Sequence, residues 1–241
     1  MANTDWRSAS FSHRGKQREG NEDRCLERPE QGLWLVADGM GGHHRGDFAS
    51  DMVITVTSDL VLKGELSQRS KTLNVALETA HERLCRVSAN SEPALQSGTT
   101  VTACVMLGDE GCVLWAGDSR LYRWRDKSLS RLTHDHSFVE ELVAQGKLTA
   151  EQASNDPRSN IITRAIGIEP TLTLEAVNFS VTSGDRYLLC TDGLYRELGE
   201  TQLEVILGNA PSPDDAVASL QECALAGAAN DNITGVVVFA L

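Results

Sequence analysis

No run of apolar residues in this chain approaches the roughly eighteen needed to cross a bilayer. The opening segment, MANTDWRSASFSHRGK, has no apolar core, so no secretory leader is expected. Positive charge is scarce. Against 34 Asp and Glu stand 22 Lys and Arg, and a net charge of −12 argues against nucleic acid, whose phosphates call for cations. There is no C-x-x-C pair. Cys25, Cys85, Cys104, Cys112, Cys190 and Cys223 are scattered, which excludes a zinc knuckle and a disulfide framework, and most lie in apolar runs as small core residues. Internal repeats and low-complexity stretches are also missing. These absences predict a soluble cytoplasmic protein with neither membrane nor nucleic-acid partners. Its 41% hydrophobic and 23% charged residues are an ordinary globular balance.

What is present is a set of strands that end in acids. LWLVAD (33–38) reads as a buried strand, and GMGG follows its aspartate. Residues 46–62 and 70–88 carry apolar residues at helical spacing, among them Val53, Val56, Leu60, Leu73, Leu77 and Leu84. Residues 99–107, 111–124 and 128–133 read as strands, as do 172–179, 186–191 and 232–241, and 213–227 fits a helix. Residues 134–170 mix short helical patches with turn residues and read as an inserted flap. Alternating βαβ order is lacking, so the pattern predicts an α+β layered sandwich over a doubly wound parallel sheet.

Asp38, Asp118 and Asp192 each follow an apolar strand, Asp231 precedes the last one, and Glu22 and Asp23 precede another. Turn chemistry explains any one of these. Together they suggest convergence on one rim. Carboxylates crowded into one cleft cannot all stay ionised unless cations neutralise them. Oxygen-only ligands select hard ions such as Mg²⁺ or Mn²⁺. Two such ions can clamp an in-line displacement at phosphorus, with a bridging water as hydroxide at neutral pH. An arginine fork would orient the phosphate, and Arg18 lies four residues before Glu22.

The motifs run in order: RxxNED at 18–23, ADGMGGH at 37–43, SGTT at 97–100, GDSRLYR at 117–123, LTHDHS at 132–137, NIITRAIG at 160–167, TDGL at 191–194 and DNIT at 231–234. In these the chain resembles the metal-dependent PPM (type 2C) protein serine/threonine phosphatases of the bacterial branch. The resemblance implies one phosphatase domain over residues 1–241, a four-layer αββα sandwich of two antiparallel sheets flanked by helices, with the flap at about 134–170. It implies two core Mn²⁺ or Mg²⁺ ions and a third. By motif position Asp38 would bridge the core ions, the Gly39 carbonyl would reach one, Asp192 and Asp231 would hold the first, and Glu22 would act through water. Asp118 would hold the third ion, and Arg18 would grip the phosphate. The implied reaction is hydrolysis of phosphoserine or phosphothreonine on proteins by a monomer that reverses a Hanks-type kinase, in secretion or cell-wall control.

Met40 stands where some relatives carry a histidine that protonates the leaving group, so the expected donor is a metal-bound water or His43, with water preferred. SGTT reads as sheet packing, His134 and His136 as flap contacts, and Arg164 as a surface ion pair or a cleft residue. Two other functions compete. Cys190 and Arg196 fit the C-x₅-R spacing of thiol phosphatases, but Asp192 inside that loop would repel phosphate. A non-catalytic phosphoprotein-binding scaffold would be expected to have lost a metal carboxylate, and none is lost.

Overall fold

The computed structural model describes residues 5–41, 45–90, 97–154 and 156–241. Two antiparallel sheets face each other. One runs β1 (Trp6–His13), β11 (Ile233–Ala240), β10 (Arg186–Cys190), β7 (Arg120–Arg125) and β8 (Ser128–Arg131). The other runs β2 (Asp23–Arg28), β3 (Leu33–Gly41), β5 (Val101–Leu107), β6 (Glu110–Ala116) and β9 (Glu175–Ser180), with β4 (Ser97–Thr99) pairing the end of β3.

The central strands read as continuous apolar runs because both of their faces are buried. Along β3, Leu33, Leu35 and Ala37 face helices α1 (Gly46–Ser58) and α2 (Leu66–Ala89), while Trp34 and Val36 face the other sheet. Along β10, Leu188 and Cys190 face α5 (Asp192–Asn209) and α6 (Pro213–Ala226), while Tyr187 and Leu189 face inward. Trp34, Trp115 and Tyr187 fill the layer between the sheets and are fully buried, each burial being worth on the order of 2–3 kcal/mol. The result is the expected αββα sandwich. Among the described residues no helix is long and apolar enough to cross a membrane.

Three elements differ from the expectation. The run 111–124 is two strands in different sheets, and the chain crosses between them at Gly117–Ser119, where Gly117 has φ +109°. β1 was not expected, because WRSASFSH has small polar residues at most positions; it pairs along the whole of β11, from Trp6 opposite Ala240 to His13 opposite Ile233. Helix α5 was also unexpected, and Gly199, at φ +70°, breaks its helical spacing internally. The flap contains α3 (Phe138–Ala144) and α4 (Ala150–Ser154); a bridge from Ser137 to Ile162 closes it on itself, and one from Thr99 to Ile166 joins it to the body.

Candidate metal centre

The two sheets lead their strand ends to one cleft. Asp38 lies near the end of β3, with Asp23 opposite it in register on β2. Asp118 sits in the crossover between the sheets, Asp192 opens α5, and Asp231 precedes β11. The backbone of Asp38 is clamped from SGTT. Its N–H donates to Thr100 Oγ1 at 3.0 Å, and its carbonyl accepts from Thr100 N at 2.9 Å and Thr99 Oγ1 at 3.0 Å. The expected sheet packing of that motif therefore fixes the central aspartate.

The glycines after Asp38 serve backbone contact. A Cβ on Gly39 would lie 2.0 Å from the Gly46 carbonyl oxygen and 2.7 Å from that of Glu22. The strand end can meet the start of α1 only without a side chain there. Glu22 locks the junction: its carbonyl accepts from Gly39 N at 3.2 Å and Ser50 Oγ at 2.6 Å, and its Oε1 accepts from Gly46 N at 3.2 Å, at the positive end of α1. Asn232 holds the preceding loop, accepting from Glu22 N at 2.8 Å and donating to the carbonyls of Arg14 and Gly20, each at 2.9 Å.

The electrostatics follow from crowding. Burial, then the nearby charges of Asp23, Asp192, Asp118 and Asp231, hold the Asp38 carboxyl well above the usual range. Burial pushes Asp23 and Asp118 up to about 7, and it also raises Asp192, whose carboxyl hydrogen-bonds with that of Asp38. Asp23 Oδ1 and Asp118 Oδ1 are buried with no hydrogen-bond partner among the described residues. Oxygen-only donors, orphaned carboxylate oxygens and acids that must take up protons in the absence of cations all fit hard divalent ions.

Asp23 went unread as a site residue. It is 1% exposed and its Oδ2 accepts from Thr191 Oγ1 at 2.8 Å. Its place follows from the register, since the residue of β2 opposite Asp38 shares its face.

These raised values predict a pH-dependent response to metal. A carboxyl raised from 3.8 to about 7 contributes stability that is complete below the unfolded value and lost as pH rises through the folded one. The ion-free protein therefore loses this contribution between about pH 4 and 7. Divalent ions oppose the loss, because they bind the ionised form. The rise in Tm on adding Mn²⁺ should be larger at pH 8 than at pH 5, and equal shifts would show that these acids do not take up the ion.

Arg18 stands at the rim, with Nη2 2.8 Å from Asp231 Oδ2, and both side chains are substantially exposed. That hydrogen bond, with the charges of Asp231, Asp38 and Glu22, raises its pKa further. The structure thus brings Arg18, Glu22, Asp38, Gly39, Asp118, Asp192 and Asp231 to one cleft. His43 and His44 lie outside the described residues.

A second arginine enters the cleft unexpectedly. Arg196 Nε lies 3.2 Å from Asp192 Oδ2, and its Nη2 lies 3.4 Å from Asp118 Oδ2 and 3.3 Å from the Ser159 carbonyl. Its Nη1 donates to Asn160 Oδ1. Cys190 points away, into the core against α5 and α6, where burial pushes its thiol far up. A thiolate nucleophile does not fit there.

Among the described residues, His134, His136 and Glu175 form another group close enough to hold a metal. It is wired as a brace. His136 Nδ1 accepts from Gly117 N–H at 3.2 Å, so the neutral ring carries its proton on Nε2, which faces Glu175 Oε1 at 3.2 Å. Arg164 Nη1 takes the same oxygen at 2.8 Å, which resolves Arg164 as an ion pair. His136 keeps no lone pair for a metal. It ties the flap to Gly117, next to Asp118.

The family model described as protein phosphatase 2C matches residues 11–226. The chain is 36% identical over 236 residues to the serine/threonine protein phosphatase PstP of Mycobacterium tuberculosis, covering 96% of this chain and 44% of that protein. It therefore spans about half the length of that relative. Among solved structures, PppA, described as a key regulatory component of T6SS in Pseudomonas aeruginosa, matches with TM-score 0.91 and 37% identity over 99% of each chain. The catalytic domain of a serine/threonine phosphatase PstP, in complex with two manganese ions, matches with TM-score 0.87 and 33% identity over 98% of each chain.

Proposed function

Because the chain belongs to the protein phosphatase 2C family, we propose that it is a metal-dependent protein phosphatase acting on phosphoserine and phosphothreonine. The observation that carries this reading is the buried aspartate set around Asp38, with orphaned oxygens on Asp23 and Asp118 among the described residues. Asp38, Asp192, Asp231 and the Gly39 carbonyl are assigned to the two core ions, Glu22 to one of them through water, and Asp118 to a third. Mn²⁺ or Mg²⁺, when bound, supplies positive charge to the phosphoryl oxygens and lowers the pKa of water toward neutrality. The protein holds these carboxylates on rigid strand ends, so their geometry needs no rearrangement during reaction. Arg18 keeps part of its guanidinium beyond its bond to Asp231, and that fork is suited to two phosphate oxygens.

The reading extends to a single phosphatase domain working as a monomer in the cytoplasm, opposed to a Hanks-type kinase. The likeness to PppA supports a secretion-linked phosphoprotein as substrate. Chelation is expected to abolish hydrolysis of a phosphothreonine peptide, added Mn²⁺ to restore it, and Cys190→Ser to leave it unchanged. Activity that survives thorough chelation and disappears in Cys190→Ser would instead establish thiol chemistry.

Arg18→Ala tests the phosphate contact. It should raise KM about tenfold for the phosphopeptide, the scale of one charge-assisted pair, and leave Mn²⁺ affinity nearly unchanged. Parallel loss of both would make Arg18 a structural partner of Asp231.

A further inference from the structure

We propose that the Arg196 guanidinium is a resident cation that occupies the position of a third divalent ion between Asp118 and Asp192, and that ion and arginine exchange there. The inference rests on the metal-dependent reading above. It comes from a convergence of acceptors on one planar group. Asp192 from the start of α5, Asp118 from the crossover between the sheets, and the Ser159 carbonyl and Asn160 side chain from the flap all face Arg196. The two carboxylates are 16% and 3% exposed, and they come from two different elements.

These are the acceptors a hard cation would seek: two carboxylates and a backbone carbonyl, with Asp118 Oδ1 still unpartnered beside them. A guanidinium and a divalent ion within a few ångströms repel strongly in a partly desolvated cleft, so the two exclude each other. The arginine has somewhere to go. A cavity of about 740 Å³ opens beside it, and on its wall the exposed Glu200, whose ion pair with Arg120 is 3.8 Å long, can receive the displaced charge. Arg196 lies four residues after Asp192 on α5, so one helical turn lets it swing without moving the backbone.

The test is direct Mn²⁺ binding to the whole chain without substrate, by calorimetry and by the electron paramagnetic resonance of free Mn²⁺. Wild type and Arg196→Gln should both take two ions tightly. The third ion should bind at least about tenfold more tightly to Arg196→Gln, because a competing charge is gone. Arg196→Lys, which keeps a charge, should retain the weak third site, and adding Asp118→Asn to Arg196→Gln should remove that site. Unchanged or weaker third-ion binding in Arg196→Gln, with the first two ions intact, would overturn the arginine's role alone. Absence of tight Mn²⁺ binding to wild type would overturn the two-ion reading on which it stands.

Discussion

Asp38→Asn is expected to lower kcat/KM at least about a thousandfold while raising the Tm of the ion-free protein. The two effects have one cause. Asp38 is buried opposite Asp23 and among Asp192, Asp118 and Asp231, and burial with like charge holds its carboxyl well above the usual range. Without cations that carboxyl is a liability, since ionising it in such surroundings opposes folding. An amide has the same shape and no charge, and it can donate to Asp192. The backbone at this position is held by Thr99 and Thr100 and does not depend on the side chain. The scaffold should therefore persist and gain stability, the Mn²⁺-induced rise in Tm should vanish, and turnover should collapse. Function here is kept at the expense of stability. A variant with Mn²⁺-dependent turnover within tenfold of wild type would remove Asp38 from the metal centre.

Much of this centre was legible because strand ends announce themselves. An apolar run that stops on an aspartate, repeated on β3, β6 and β10, has few explanations other than a shared rim. The layer order was legible for a related reason, since strands buried on both faces lack alternation and need cover on each side. β1 was hidden because it is an edge strand: of Trp6–His13 only Phe11 is buried, and its pairing with β11 comes from backbone bonds that composition does not encode.

The failure to read α5 had a further consequence. No element was read between the strand at 186–191 and the helix at 213–227. In the fold, Gly193 is there because a Cβ would lie 2.0 Å from the Asn232 carbonyl oxygen, and Gly199 marks a kink. With the helix missed, Arg196 was weighed only by its C-x₅-R spacing from Cys190, a reading that Asp192 argued against. In the helix it is an i, i+4 ion pair on the cleft side, while Cys190 belongs to the strand before it and faces the core. The same residues give a thiol phosphatase loop or a carboxylate–arginine latch, and secondary structure alone decides between them. Asp23 was passed over in the same way: NED offers two adjacent acids, and only the register of β2 on β3 says which of them faces Asp38.

Asp118→Ala should cut phosphopeptide turnover about a hundredfold and leave two Mn²⁺ ions bound, the scale of removing one group that stabilises charge in the transition state. The turn that carries Asp118 is shaped without its carboxylate. Gly117 supplies the left-handed backbone, its N–H donates to His136 Nδ1 and its carbonyl accepts from His136 N at 2.9 Å, and Tyr195 Oη donates to the Asp118 carbonyl at 3.2 Å. The alanine variant should therefore fold with its flap contacts at Gly117 intact. Its ion-free Tm should be no lower than that of wild type, since a buried carboxyl pushed up to about 7 with one oxygen unpartnered has been removed. In the proposed assignment the core ions draw on Asp38, Asp192 and Asp231, which sit on other elements, and Mg²⁺-type ions complete their shells with water. Calorimetric stoichiometry and kcat measured on the same variant separate the possibilities. Loss of either tight ion together with Asp118 would place this aspartate in the core pair. Turnover equal to wild type would reduce GDSR to a turn between two sheets.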